Sequence, residues 1–191
     1  MGKQCTSIEP NHREFILKQH IFFTASAAAE GRVNLSPKDR ASLRILNANS
    51  VAYLDLTGSG NETAAHLRAS GRLTIMFCAF EGAPNILRLY GRGKVLARGS
   101  AAYRELLASA FGDEESPGAR QMVVLEIDLV KTSCGYGVPL FDYAGERPTL
   151  LRWAETKGEA GLEEYRLAKI VFSMDGFPTG IAESQETGGG Q

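Results

Sequence analysis

Long apolar runs, an excess of either charge and paired metal-ligating residues are all scarce in this chain. Each scarcity removes a class of function. The formal net charge is -1 over 191 residues. Lysines and arginines alternate with acids, and no basic stripe of the kind that tracks a phosphate backbone is present. Nucleic acid is therefore not an expected partner. No run approaches the roughly 20 apolar residues that cross a bilayer, and "MGKQCTSIEPN" lacks the apolar centre of a signal peptide. The cysteines (Cys5, Cys78, Cys134) are odd in number and show no metal-like spacing. His12, His20 and His66 share no i, i+4 relation. No metal site is expected, and neither is a membrane partner. The expectation is a cytoplasmic protein with reduced thiols. "MGKQCT" does fit the loose pattern for N-terminal myristoylation.

What is present is ordinary globular material. Hydrophobic residues make up 43% and charged residues 23%, enough apolar side chain to bury a core without staples. "NHREFILKQ" predicts a short amphipathic helix, with Phe15, Ile16 and Gln19 on nearly one face. "IFFTAS", the turn "AAAEGR" and "RVNLSP" read as a β-hairpin, with Pro37 ending regular pairing. "SLRIL" and "SVAYLDLT" are further β runs, and a helix is expected over 61–69. "RLTIMFCAF", "ILRLYGRGKVLA" and "QMVVLEIDLVKTS" complete six or seven strands, with a helix at "AAYRELLASAF". The glycines of "YGRG" mark a bulge or a barrel corner. Strands this dense, with few helices between them, predict a mostly β architecture: a small closed or split barrel with peripheral helices. A parallel sheet would need a helix after nearly every strand.

Beyond residue 133 the character changes. A Gly/Pro-broken aromatic segment leads into one helix over 148–169, with Pro148 near its first turn. Leu151, Ala154 and Leu162 supply its buried stripe, along with Trp153 and Tyr165. Gly158 and Gly161 are positioned to break it. The expected units are 1–133 as the barrel, 134–180 as a segment packing on the barrel or on a partner, and 181–191 as a disordered tail.

The chemically suggestive stretch is "GSGNET". Ser59 and Glu62 fit a capping box, and Glu62 complements a helix dipole. The same turn can bind an anion through the N–H groups of Asn61 to Thr63, with Ser59, Asn61 and Thr63 side chains assisting. Glu62 opposes that reading unless it points away. No Walker or dinucleotide fingerprint is present. Neither Cys134 nor any serine has a sequence context for nucleophilic catalysis. No catalytic residue is named from these patterns.

Taken in order, "FFTAS", "EGR", "VNLSPK", "VAYLDLT", the polar turn and helix, "GRLTIMF" and "ILRLYGRGKV" resemble the pyridoxamine 5'-phosphate oxidase-like family of flavin-binding split barrels. The resemblance spans roughly residues 10–130. It implies a homodimer with flavin mononucleotide (FMN) at the subunit interface. Position by position, it implies flavin contacts at Asn34, Ser36, Pro37 and Lys38, then Leu56, Thr57 and Gly58 beside the ring. It puts Asn61, Glu62 and Thr63 at the phosphate, and Ile86 at another flavin edge. The family's phosphate-binding Arg-Lys pair is Glu62-Thr63 here. Lys38, Arg32, Arg44, Arg88 or Arg92 is then expected to compensate. The segment by which true oxidases hold pyridoxal phosphate is missing. The function this implies is a flavin-dependent oxidoreductase acting on a small-molecule redox substrate. Alternatives are a flavin sensor or storage protein, or a haem- or deazaflavin-using relative.

Overall fold

The computed structural model describes residues 2–183. Eight strands form one curled antiparallel sheet. They are β1 (Gln4–Cys5), β2 (Ile21–Ser26), β3 (Asn34–Asp39), β4 (Leu43–Asn47), β5 (Ser50–Leu56), β6 (Arg72–Cys78), β7 (Ile86–Ala97) and β8 (Ala119–Ser133). Four helices accompany them: α1 (Pro10–Lys18), α2 (Glu62–Ala69), α3 (Ala101–Phe111) and α4 (Thr149–Lys169). The sheet order is β3-β2-β6-β7-β8-β5-β4, with β1 pairing off this path to β8. The two ends of that order, β3 and β4, do not pair with each other, so the barrel is split.

Alternation builds the interior. Phe22, Ile75, Phe77, Leu87, Leu89, Val123 and Leu125 point inward from successive strands into one buried cluster. β5 is apolar on both faces for a reason. Val51 and Tyr53 join that cluster, while Leu54 joins a second one built with Tyr103, Leu107 and Phe111 of α3. α3 starts at Ser100, whose hydroxyl accepts from the Tyr103 N–H, and stops at Gly112 in the left-handed region.

The "YGRG" glycines do mark a bulge. The β7–β8 register shifts between Tyr90 and Gly91. A Cβ at Gly91 would sit 1.9 Å from the Glu126 carbonyl oxygen. At Gly93 a Cβ would meet Leu67 of α2 at 2.7 Å. That close approach seats α2 on the sheet and fixes where its N-terminus points.

Three expectations differ from what is found. Pro37 does not end the pairing of β3: it lies opposite Phe23, and Lys38 and Asp39 continue the ladder. β3 is an edge strand, so the N–H that proline lacks has no neighbour to serve. In α4, Leu151 is exposed and the buried residues are Ala154, Leu162 and Arg166. Gly158, at φ 65° and ψ 170°, does break the helix. The expected tail starts too early, because Ile181 is buried and Glu183 pairs with Arg68 at 2.6 Å. The rest of that tail, 184–191, lies outside the described residues. No helix among the described residues is long and apolar enough to cross a membrane.

Candidate functional site

The split between the sheet ends opens into a cavity of about 780 Å³, a size typical of small-molecule sites. One wall is β3, through Asn34, Ser36, Pro37 and Lys38. The facing wall is the end of β5, through Leu54 and Leu56. The floor is the turn Gly58–Gly60 and the first turn of α2, with Asn61, Glu62 and Thr63. Arg120 of β8 reaches in from below. Lys169, the last residue of α4, and the chain after it form a strap along the rim, which contributes Phe172, Ser173 and Met174.

Asp55 organises the floor. It is 1% exposed. Its carboxylate accepts from Lys38 Nζ at 2.6 Å, Arg120 Nε at 2.9 Å and Gln121 Nε2 at 2.9 Å. Burial alone would raise its pKa, but the Arg120 and Lys38 cations beside it hold the carboxyl well below the usual carboxylate range. Lys38 and Arg120 share this single buried counter-ion, and Lys169 adds a third basic side chain, while Glu62 and Asp39 also line the cavity. Arg120 also donates through Nη1 to the Gly60 carbonyl at 2.9 Å, which fixes the turn.

The start of α2 is poised to take an acceptor. Asn61 is the N-cap, yet its side chain caps nothing. Its Oδ1 accepts from Gln121 at 2.7 Å, while its Nδ2, in a residue 2% exposed, has no partner among the described residues. A buried donor left unpaired is costly, and this one belongs to a cavity-lining residue at a helix N-terminus. Thr63 Oγ1 accepts from Asn34 Nδ2 at 3.0 Å, and Asn34 Oδ1 accepts from Ser36 at 3.1 Å. These bonds tie β3 to α2 across the cavity. The donor set (Asn61 Nδ2, the first-turn N–H groups, Arg120, Lys38 and Lys169) suits the phosphate of an FMN.

Glu62 does not close the expected capping box. Its carboxylate turns away from Ser59 and accepts from the Met174 N–H of the strap at 3.1 and 3.2 Å. Asp175, next along, accepts from the Arg32 N–H at 2.7 Å and pairs with the Arg32 guanidinium.

The structure therefore brings Asn34, Ser36, Pro37, Lys38, Leu56, Gly58, Asn61, Glu62 and Thr63 to one cavity. It does not bring Thr57 or Ile86 there. Thr57 is buried; its hydroxyl donates to the Gly118 carbonyl at 2.8 Å and accepts from Arg166 Nε at 2.9 Å. Ile86 opens β7 between Cys78 and Ser133. Of the compensating cations expected from sequence, only Lys38 lines the cavity. Arg32 is bound to Asp175, Arg44 to the Ala110 carbonyl, Arg88 to Ser133 and Arg92 to the Ser70 carbonyl. Arg120 and Lys169 stand there instead. An arginine and a glutamine at the head of the apolar "MVVLEIDL" run are the one available signal for Arg120, and nothing local marks Lys169.

The histidines and cysteines have other work. His66 Nδ1 meets Ser26 Oγ at 3.1 Å in the interior. Cys5, Glu9 and His12 place ligand-type atoms within 4.8 Å of one another. However, His12 Nδ1 accepts the Glu9 N–H and the Cys5 thiol donates to the Ser7 carbonyl, so the cluster serves as the cap of α1. Cys134 is exposed.

Comparison with known proteins agrees with this architecture. Residues 8–134 match the family described as pyridoxamine 5'-phosphate oxidase. The chain is 38% identical over 188 residues to the pyridoxamine 5'-phosphate oxidase family protein ustO of Aspergillus flavus, covering 90% of this chain and 75% of that protein. Among solved structures it superposes on HupZ of Group A Streptococcus with a TM-score of 0.52 and 18% identity, over 66% of this chain and 99% of that one. It also superposes on a pyridoxamine 5'-phosphate oxidase-related, FMN binding protein of Nostoc punctiforme, with a TM-score of 0.50 and 9% identity, over 68% and 85% of the two chains. At these identities the two structures speak for the fold alone.

Proposed function

The chain belongs to the pyridoxamine 5'-phosphate oxidase family, and on that premise we propose that it binds FMN in the cleft and is a flavin-dependent oxidoreductase. The observation that carries this reading is the unpaired Nδ2 of Asn61, a residue that lines the cavity at the N-terminus of α2 beside Arg120, Lys38 and Lys169. Asn61, Thr63 and the first-turn N–H groups would hold the phosphate, with Arg120 and Lys169 as cations in place of the family's Arg-Lys pair. The edge of β3 at Ser36–Lys38, with Leu54 and Leu56 opposite, would flank the ring. Bound FMN would supply the redox chemistry. The protein's share is orientation, basic side chains fixed at the floor and exclusion of water by the strap. Residues 1–133 supply the barrel and most of the cleft, and 134–180 complete it. Under this reading the functional unit is a homodimer in the cytoplasm, and Ile86, remote from the cleft of its own chain, faces a flavin of the second copy.

A haem reading would need an axial ligand. His12 and His66 are 6% and 1% exposed and do not line the cleft. His20 is stacked on Tyr143, with ring centroids 3.6 Å apart. Flavin therefore comes first.

Reconstitution with FMN, followed by gel filtration and absorption spectroscopy, tests the reading. Wild-type protein should retain flavin, and Thr63→Glu should weaken binding by about 10- to 100-fold by placing a carboxylate where the phosphate sits. Full flavin retention by Thr63→Glu would remove the phosphate from this end of the cleft. Reduction of the bound flavin by a nicotinamide, with turnover of an acceptor, separates an enzyme from a sensor or storage protein.

A further inference from the structure

A second cavity of about 1010 Å³ adjoins the flavin cleft. The two share Pro37, Lys38, Asp39, Ser42, Leu54, Leu56 and Leu150 as a common boundary. The outer wall is the segment following β8, which lies outside the family match. That wall is held in place. The Phe141 N–H donates to the Phe80 carbonyl at 3.0 Å, and the two rings pack with centroids 5.5 Å apart. Tyr143 stacks on His20 with an interplanar angle of 2° and donates its hydroxyl to Glu146.

The lining is apolar where it is deep and acidic where it is polar. Phe111 and Leu54 form its base. Phe141, Leu150 and Leu151 face it while remaining 60%, 42% and 39% exposed. Apolar surface left open on a concave wall gains free energy when a ligand covers it. Five carboxylates line the cavity: Asp39, Glu81, Glu114, Asp142 and Glu146. Against them stand the cations Lys38, Arg44 and Arg147. His20 also lines it, with Nε2 3.8 Å from Glu81. Lys38 lies on the boundary and points to Asp55 of the neighbouring cleft. Arg44 donates to the carbonyls of Ala41, Leu43 and Ala110 and lies over the Phe111 ring at 4.7 Å.

We infer that this is the substrate chamber, and that it takes a flat aromatic molecule that is neutral or cationic, rejecting carboxylates and phosphate esters. The inference of a substrate role rests on the flavin reading; the binding preference does not. Cations and an unpaired donor select an anion in the cleft. Next door, acids and aromatic faces select against one. The boundary at Leu54, Leu56 and Lys38 is where the two ligands would meet.

Isothermal titration of the full chain, with and without FMN, tests this with three probes of one shape: 2-naphthol, 2-naphthylmethylamine and 2-naphthoate. The neutral and cationic probes should bind at least about tenfold tighter than the carboxylate, because a desolvated anion in a lining where carboxylates outnumber basic side chains is disfavoured. Leu151→Glu and Phe141→Ala, both at exposed positions outside the flavin cleft, should each weaken 2-naphthol about tenfold and leave FMN content unchanged. Equal binding of naphthoate and naphthol, or naphthol binding indifferent to both variants, would overturn the inference. So would absence of naphthol binding with Leu151→Glu turning a dimer into monomers, which would give this surface to a second copy. Naphthol binding that persists in protein unable to take up FMN would sink the flavin reading and leave the chamber's preference standing.

Discussion

Asp55 is the residue on which the cleft turns. Three donors converge on its buried carboxylate, so replacing it removes the counter-ion of Arg120, itself almost fully buried. Asp55→Asn should cost about 3–5 kcal/mol, as expected when one member of a buried pair is lost. The folded pKa of Asp55 is depressed. The carboxylate therefore stabilises the fold above its unfolded value of about 3.9. That contribution is lost as pH falls toward the depressed folded value. Urea unfolding followed from neutral to acid pH should show a shallower acid limb in the variant. An acid limb unchanged by the substitution would dissociate Asp55 from acid sensitivity. At this scale the sequence was informative where site residues are neighbours in the chain. Asn34 to Lys38 and Gly58 to Thr63 are contiguous, and one face of a strand or one helix start brings each group together. Arg120 lies 65 residues from Asp55, and no local pattern announces a pairing made across a sheet.

At the scale of elements, α4 shows what a single backbone position decides. Gly158 sits at φ 65° and ψ 170°, a region open almost only to glycine. The kink lets the second half of the helix turn Arg166 inward, where it reaches Thr57, the Ala119 carbonyl and Glu159. Gly158→Ala should destabilise the protein by about 1–3 kcal/mol, read as a lower urea midpoint. An unshifted midpoint would mean that the helix straightens without loss. Strands and helices were legible because their apolar periods are unambiguous, from the alternation of β7 to the doubly buried run of β5. The role of Thr57 was not legible: its hydroxyl faces Arg166, a residue more than 100 positions away, and only tertiary packing decides which side of the turn it serves. Pro37 was misjudged because its effect depends on whether its strand has a neighbour, and that is a property of the sheet.

Across the whole molecule, the strap after α4 binds the end of the described chain to the β2–β3 turn and to α2. Glu62 holds the Met174 N–H, Asp175 holds Arg32, and Arg68 holds Glu183. The carboxylate that looked misplaced for a phosphate site is thus a latch for the strap. Glu62→Ala should speed hydrogen exchange at the Met174 amide by about tenfold, the loss of one charge-assisted hydrogen bond. Glu62→Gln keeps an acceptor there and should change it far less. Equal exchange in wild type and Glu62→Ala would show that the strap is held by its other contacts.

The edges of the sheet carry a consequence for how chains meet. β3 carries the exposed Pro37 within its six residues, and β4 is five residues long with a register shift between Ile45 and Asn47. A strand arriving at either margin would find a residue without an N–H or an irregular ladder. Extension of the sheet from these two margins is therefore disfavoured, and Pro37, which borders the cleft, is part of that protection.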